Sequence, residues 1–197
     1  MKNILRAMAA LAVLALFAAV PAAAQTVLKP AVGITYSDFS KDPSTGTING
    51  QVGYEIGGTI VFGPGPYFEG GAFYATKGAE YQEATTNATF DNDLNGVRIP
   101  LMIGFNVIPV SEGSSLGLRV FGGGSAFIVT SVNVRGLKLE DFNSPSWGVF
   151  AGAGLDISMI FLDVSYEWSL TDASELSTVD IGQTRSLVAT AGIRLGQ

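Results

Sequence analysis

The 197-residue sequence contains no cysteine and no histidine. Without cysteine there is no disulfide and no thiolate metal site. Without histidine the chain lacks the commonest acid–base group and metal ligand. Most nucleophile–base pairs are therefore impossible. Basic residues are also few, 11 Lys and Arg against 17 Asp and Glu. A nucleic-acid binder needs a basic stripe, so no nucleic-acid partner is expected. Beyond the first twenty residues no apolar run approaches the roughly 20 residues of a spanning helix. Yet mean hydropathy is positive, +0.35, and glycine is abundant at 25 residues. An apolar chain without spanning helices suits a closed barrel, because only helices and closed barrels satisfy every backbone group in lipid.

The N-terminus reads as a secretory signal. Lys2 and Arg6 form a short basic region, and an apolar run from Met8 to Val20 ends at Pro21. Small residues at Ala22 and Ala24 suit signal peptidase, so residues 1–24 are expected to be a signal peptide and 25–197 an outer-membrane β-barrel domain. Cleavage there removes two basic residues and no acid, leaving nine basic against seventeen acidic residues and a formal charge of −8.

About eight segments downstream alternate apolar and polar residues at the length of a tilted membrane strand. They cover approximately Lys29–Tyr36, Gln51–Phe62, Tyr67–Gly78, Gly96–Val107, Leu116–Val129, Trp147–Ile157, Met159–Trp168 and Arg185–Leu195. In the fourth, Val97, Ile99, Leu101, Ile103, Phe105 and Val107 share one face. In the seventh, Leu162, Val164, Tyr166 and Trp168 oppose Asp163, Ser165 and Glu167. Period two puts each set on one side of a sheet. Pro100 interrupts the fourth, since proline cannot donate to a ladder, and a local bulge there is expected.

Connections alternate in length. Gly63-Pro64-Gly65-Pro66, residues 108–115 and the link near Ser158 are short. Ser37–Gly50, Ala79–Asn95, Thr130–Ser146 and Leu170–Thr184 are longer, polar and read as loops. Long loops outside and short turns in the periplasm are the outer-membrane pattern. Aromatics sit near strand ends, with Tyr36, Tyr74, Trp147, Tyr166 and Trp168 toward the loops and Phe62, Tyr67, Phe68 and Phe105 toward the turns. Two such belts mark the two membrane interfaces.

Several short patterns carry a resemblance: Tyr74-Ala75-Thr76-Lys77-Gly78, Val97-Arg98-Ile99-Pro100-Leu101, Phe121-Gly122-Gly123-Gly124, Gly152-Ala153-Gly154 and Ala191-Gly192-Ile193-Arg194-Leu195. Over nearly the whole mature chain the sequence resembles the small outer-membrane β-barrel proteins of the PorT-like type, common in Bacteroidetes. The resemblance implies a fold and a location, and no defined chemistry.

The strand charges are the informative polar group. Alternation points Glu55, Glu69, Lys77, Arg98, Arg119, Asp156, Asp163, Glu167 and Arg194 away from lipid, into a narrow lumen. Strand direction puts Glu55, Lys77, Arg98 and Glu167 toward the loops and the others toward the turns. Both levels hold both signs, which predicts ion-pair layers filling the lumen. Phe73, Phe121, Phe127, Phe150 and Phe161 are expected inside as well. Asp91-Asn92-Asp93 is only a fragment of a calcium loop and reads as a solvated acidic stretch. No catalytic residue, metal site or cofactor is expected.

The fold expected is an all-β, closed, antiparallel up-and-down transmembrane barrel. The function expected is a non-enzymatic outer-membrane protein presenting four extracellular loops, serving envelope structure, adhesion or partner binding. Its expected partners are outer-membrane lipid, the barrel-assembly and periplasmic chaperone machinery, and an extracellular partner at the loops, with the chain itself monomeric. Two alternatives stay open: a narrow porin-like channel for small solutes, and a soluble lipocalin-like binder of apolar ligands. The last requires apolar residues inside and polar ones outside.

Overall fold

In the computed structural model, the described residues are 26–39, 46–50, 52–63, 65–83, 89–110, 115–133, 144–171 and 184–196, with side chains described for 26–37, 52–63, 65–76, 95–110, 115–131, 144–171 and 185–196. Nine strands are found among them: β1 Thr26–Phe39, β2 Gly46–Gly50, β3 Val52–Phe62, β4 Tyr67–Glu83, β5 Thr89–Ile108, β6 Leu116–Asn133, β7 Ser146–Ile157, β8 Ile160–Ser169 and β9 Thr184–Ile193.

All described pairings are antiparallel, and the ring closes. β4 pairs β3, β3 pairs β1, β1 pairs β9, and β9 leads back through β8, β7, β6 and β5 to β4. β2 lies on the outer part of β4, from Gly46 opposite Glu83 to Gly50 opposite Ala79. Only Gln51 separates it from β3, so the two flank β4 as one broken stave. The barrel therefore has eight staves, as the alternation predicts. Among the described residues the ring from β3 to β5 closes through β4, which pairs the backbone groups that lipid would leave unsatisfied.

The two faces separate cleanly along the staves. On β7, Trp147, Val149, Ala151, Ala153, Leu155 and Ile157 are exposed, while Gly148, Phe150, Gly154 and Asp156 are buried. On β8, Leu162, Val164, Tyr166 and Trp168 face out, while Phe161, Ser165 and Glu167 face in. Most large aliphatic side chains are thus on the outside, and the buried charges are inside together with several phenylalanines. This is the reverse of a lipocalin-like binder and removes that alternative.

Three expectations about detail are corrected. Residues Ala79–Asn95, read as a loop, are largely paired strand: β4 and β5 continue as a hairpin from Tyr67 opposite Gly104 to Gln82 opposite Thr89. Beyond the lipid both faces of a strand are wet, so the alternation lapses although the pairing continues. No bulge marks Pro100. It stays in register with Ser125 on β6, and on the other side the β4–β5 ladder skips Ile99 and Pro100 opposite Gly71 and Ala72 without a shift in register. The missing N–H is accommodated by a gap in the ladder. The register shifts of β5 lie elsewhere, between Asn95 and Gly96 and between Asn106 and Ile108. Finally, Tyr67 does not belong to the turn-end belt, for its side chain turns into the lumen and is 2% exposed.

The connection between β7 and β8 is as tight as the sequence suggests. Ser158 takes a φ of 55° there, which lets the chain reverse within two residues.

Candidate functional site

The lumen is occupied by two clusters of charge at different heights. The one nearer the loops centres on Arg98 of β5. Its Nε and NH2 donate to Glu167 Oε2 on β8 at 2.9 and 2.8 Å, and its NH1 lies 3.6 Å from Glu55 Oε2 on β3. Thr190 Oγ1 of β9 donates to Glu55 Oε1 at 3.0 Å. The guanidinium also sits 5.4 Å from the centre of the Phe150 ring, within the range of a cation–π contact.

The cluster nearer the turns is larger. Lys29 Nζ of β1 donates to Glu69 Oε1 at 2.8 Å and to Asp163 Oδ2 at 3.1 Å, and it lies 4.1 Å from the centre of the Phe161 ring. Thr59 Oγ1 donates to the same Glu69 oxygen at 2.5 Å. Arg119 of β6 donates from NH2 to Asp163 Oδ1 at 2.6 Å and from NH1 to Tyr67 Oη at 3.1 Å. Its Nε is 2.9 Å from Asp156 Oδ2, and Arg194 NH1 donates to that same oxygen at 2.7 Å.

Of the residues the sequence assigned to the lumen, the structure brings Glu55, Arg98 and Glu167 together at one level and Glu69, Arg119, Asp156, Asp163 and Arg194 at the other. Lys77 is placed by its backbone on β4 opposite Leu94, and its side chain lies outside the described residues. So do the side chains of Asp91, Asn92 and Asp93.

Lys29 was missed, although its side chain is 1% exposed and it bridges two carboxylates. The signal was present in the sequence. Leu28, Val32, Ile34 and Tyr36 face out, so Lys29 shares the inward face with Ala31 and Thr35. Tyr67 and the hydroxyls of Thr59 and Thr190 were missed as well. Nothing in the alternation distinguishes a hydroxyl that serves a carboxylate from one that merely lines a wall.

Rings and glycines shape the space around the charges. Phe73, Phe121, Phe127, Phe150 and Phe161 are all buried. Gly154 stands where a Cβ would come within 2.9 Å of Arg119 NH2 and would also press on Asp163, so only glycine leaves room for that ion pair. Between the two charged levels is a cavity of about 30 Å³, lined among others by Glu55, Glu69, Arg98 and Asp163. That volume is about the 30 Å³ that one water occupies in the liquid. Among the described residues there is no group of three or more carboxylates arranged to hold a metal ion.

A closed eight-stave barrel, apolar outside and charged within, is the geometry of a small outer-membrane protein. The family model described as outer membrane protein beta-barrel domain matches residues 9–194. The chain belongs to this outer-membrane β-barrel family. Its location is accordingly the outer membrane, and lipid is the medium its outer face meets. No curated protein matches it in sequence. Among solved structures, this family member is similar to the outer membrane protein OprG from Pseudomonas aeruginosa, at 12% identity and a TM-score of 0.50, covering 88% of this chain and 95% of that one. It is similar to Neisserial surface protein A, at 14% identity and a TM-score of 0.54, covering 87% and 97%. A looser match, with a TM-score of 0.42 at 14% identity and 87% and 99% coverage, is Ail, the attachment invasion locus protein of Yersinia pestis, solved with the heparin analogue sucrose octasulfate. At these identities the likeness is one of fold.

Proposed function

We propose that this outer-membrane barrel is a plugged, non-enzymatic scaffold that presents its loop-side strands and loops to an extracellular partner. The observation that carries this reading is the pair of charged layers, which cross the lumen at two heights with a cavity of about 30 Å³ between them. A barrel of about eight strands is narrow enough for side chains to fill, whereas open aqueous channels belong to barrels of 16–18 strands. Chemistry has no foothold, since the chain has neither histidine nor cysteine and its buried carboxylates are held in ion pairs. For an extracellular partner the accessible surface is the loop end. There β4 and β5 extend past the level of Glu55 as a long hairpin, flanked by β2.

On this reading residues 1–24 serve as a signal peptide. The periplasmic chaperones and the barrel-assembly machinery deliver and insert a monomer, which works without a cofactor. The sequence patterns that resemble the PorT-like proteins support a place in that branch of the family. A deletion strain tests the proposal. Loss of surface adhesion with small-solute permeability unchanged is expected, and a selective loss of solute uptake would instead favour the narrow channel.

A further inference from the structure

The turn end of the barrel carries a second feature that the loop-side reading does not use. A cavity of about 240 Å³ opens there, with Lys29, Tyr67, Asn106, Arg119, Asp156 and Arg194 as its polar wall. Valine, proline and glycine complete the lining. Its charge is lopsided. Three cations face it and one carboxylate does.

The reason lies in how the lower ion cluster is oriented. Glu69 and Asp163, which neutralise Lys29 and Arg119, line the small mid-lumen cavity and not this one. The cluster is thus polarised along the barrel axis, with those two carboxylates on the mid-lumen side and its cations on the turn side. Arg119 Nε is buried and makes no hydrogen bond, although Asp156 Oδ2 is 2.9 Å away, because the two are out of line. Asp156 Oδ1 of the same wall also makes no hydrogen bond, so the pocket holds one unpaired donor and one unpaired acceptor, and its three cations outnumber that single carboxylate. A buried donor among cations is the kind of group that an oxyanion accepts from. Tyr67 and Asn106 add uncharged polar groups to the same wall.

We infer that this turn-end pocket binds a compact oxyanion, a phosphate or carboxylate group, from the periplasmic side. At about 30 Å³ per water, the volume admits such a group with a few waters and excludes a large solute. Arg194, whose side chain is 29% exposed, stands at the entrance as the first contact, and Arg119 lies deeper with a side chain 4% exposed. The site is at the opposite end of the barrel from the loops, so it stands or falls independently of what the loops bind.

The test is calorimetric titration of the full folded chain, in a neutral glycoside detergent, with inorganic phosphate and separately with acetate. Saturable one-to-one binding of at least one anion is expected, and the preferred anion names the class. Arg194→Gln should weaken binding about tenfold, the effect of losing one charge-assisted hydrogen bond. Asp156→Asn, which removes the pocket's one lining carboxylate, should strengthen it. Heat-modifiable migration on gels reports whether each variant is folded. Should Asp156→Asn fail that check, the partly exposed Arg194 still decides the matter. No saturable binding of either anion, or binding unchanged in Arg194→Gln, would overturn the inference.

Discussion

Arg98 and Glu167 meet across the lumen: Arg98 NH2 lies 2.8 Å from Glu167 Oε2, yet their strands, β5 and β8, are separated around the wall by β6 and β7. Two side chains can join non-adjacent staves in this way only if the barrel is narrow and the space between them is theirs. With Glu55 on the other flank, Arg98 ties three staves at one height. Lys29 and Arg119 do the same lower down through Glu69, Asp156 and Asp163.

Arg98→Met tests how far the barrel depends on that crossing. A buried ion pair contributes little net stability over a well-packed apolar substitute, but removing one partner strands the other charge, at a cost of about 3–5 kcal/mol. Arg98→Met should therefore lower stability by that amount in urea refolding titrations into lipid. Adding Glu167→Gln should recover a good part of the loss. A single-variant cost below about 1 kcal/mol, the worth of a solvated pair, would mean that the groups are separately hydrated.

Gly154 and Gly122 make a paired test of the lumen wall. Gly154→Ala places a methyl group against the Arg119–Asp163 pair and should cost about 1–3 kcal/mol by overpacking. Gly122 faces outward, with only Phe150 O at 3.4 Å from an added Cβ. Gly122→Ala should therefore be neutral, or stabilising by about 0.4–1 kcal/mol through the unfolded chain. Equal costs in refolding titrations would contradict the assignment of faces.

The apolar outer face should resist charge according to depth. Val164→Arg, in the middle of β8, should cost about 2–4 kcal/mol, while Ile157→Arg, beside the turn at Ser158, should cost about 0–1 kcal/mol. Refolding into bilayers reads both. A flat response along the strand would argue that this face does not meet lipid.

The extended hairpin should be dispensable for closure. Replacing residues 79–92 with a short turn leaves every pairing from Tyr67–Gly104 to Gly78–Asp93 in place. The change in loop length itself costs little. The shortened chain should still show heat-modifiable migration, and its failure to fold would show that the hairpin supports the barrel.

The staves were legible in the sequence because lipid on one side and a charged lumen on the other enforce period two. Val97 to Val107 on β5 and Leu162 to Trp168 on β8 follow it without exception. Lys29 follows the same rule, on the inward face with Ala31 and Thr35. Tyr67 was misplaced because an aromatic ring near a strand end suits an interface as well as a lumen, although period two puts it on the inward face with Glu69 and Phe73, where its hydroxyl accepts from Arg119 at 3.1 Å. The hairpin beyond Gly78 was illegible for a different reason: its residues sustain no alternation in the sequence, while the backbone ladder persists to Gln82 opposite Thr89. Partners within the lumen depend on which distant staves face each other, and local periodicity does not encode that.

Planar-bilayer recording of the pure, folded chain is the most direct test of a lumen closed by its own ion pairs. The two charged layers cross the lumen at two heights, with a cavity of about 30 Å³ between them, and on the proposed reading they close it to hydrated ions. The wild-type protein should give no steady open-channel current, and Arg98→Met should give at most brief flickering events as Glu55 and Glu167 lose their shared cation. Steady, well-defined conductance from the wild-type chain would contradict the account.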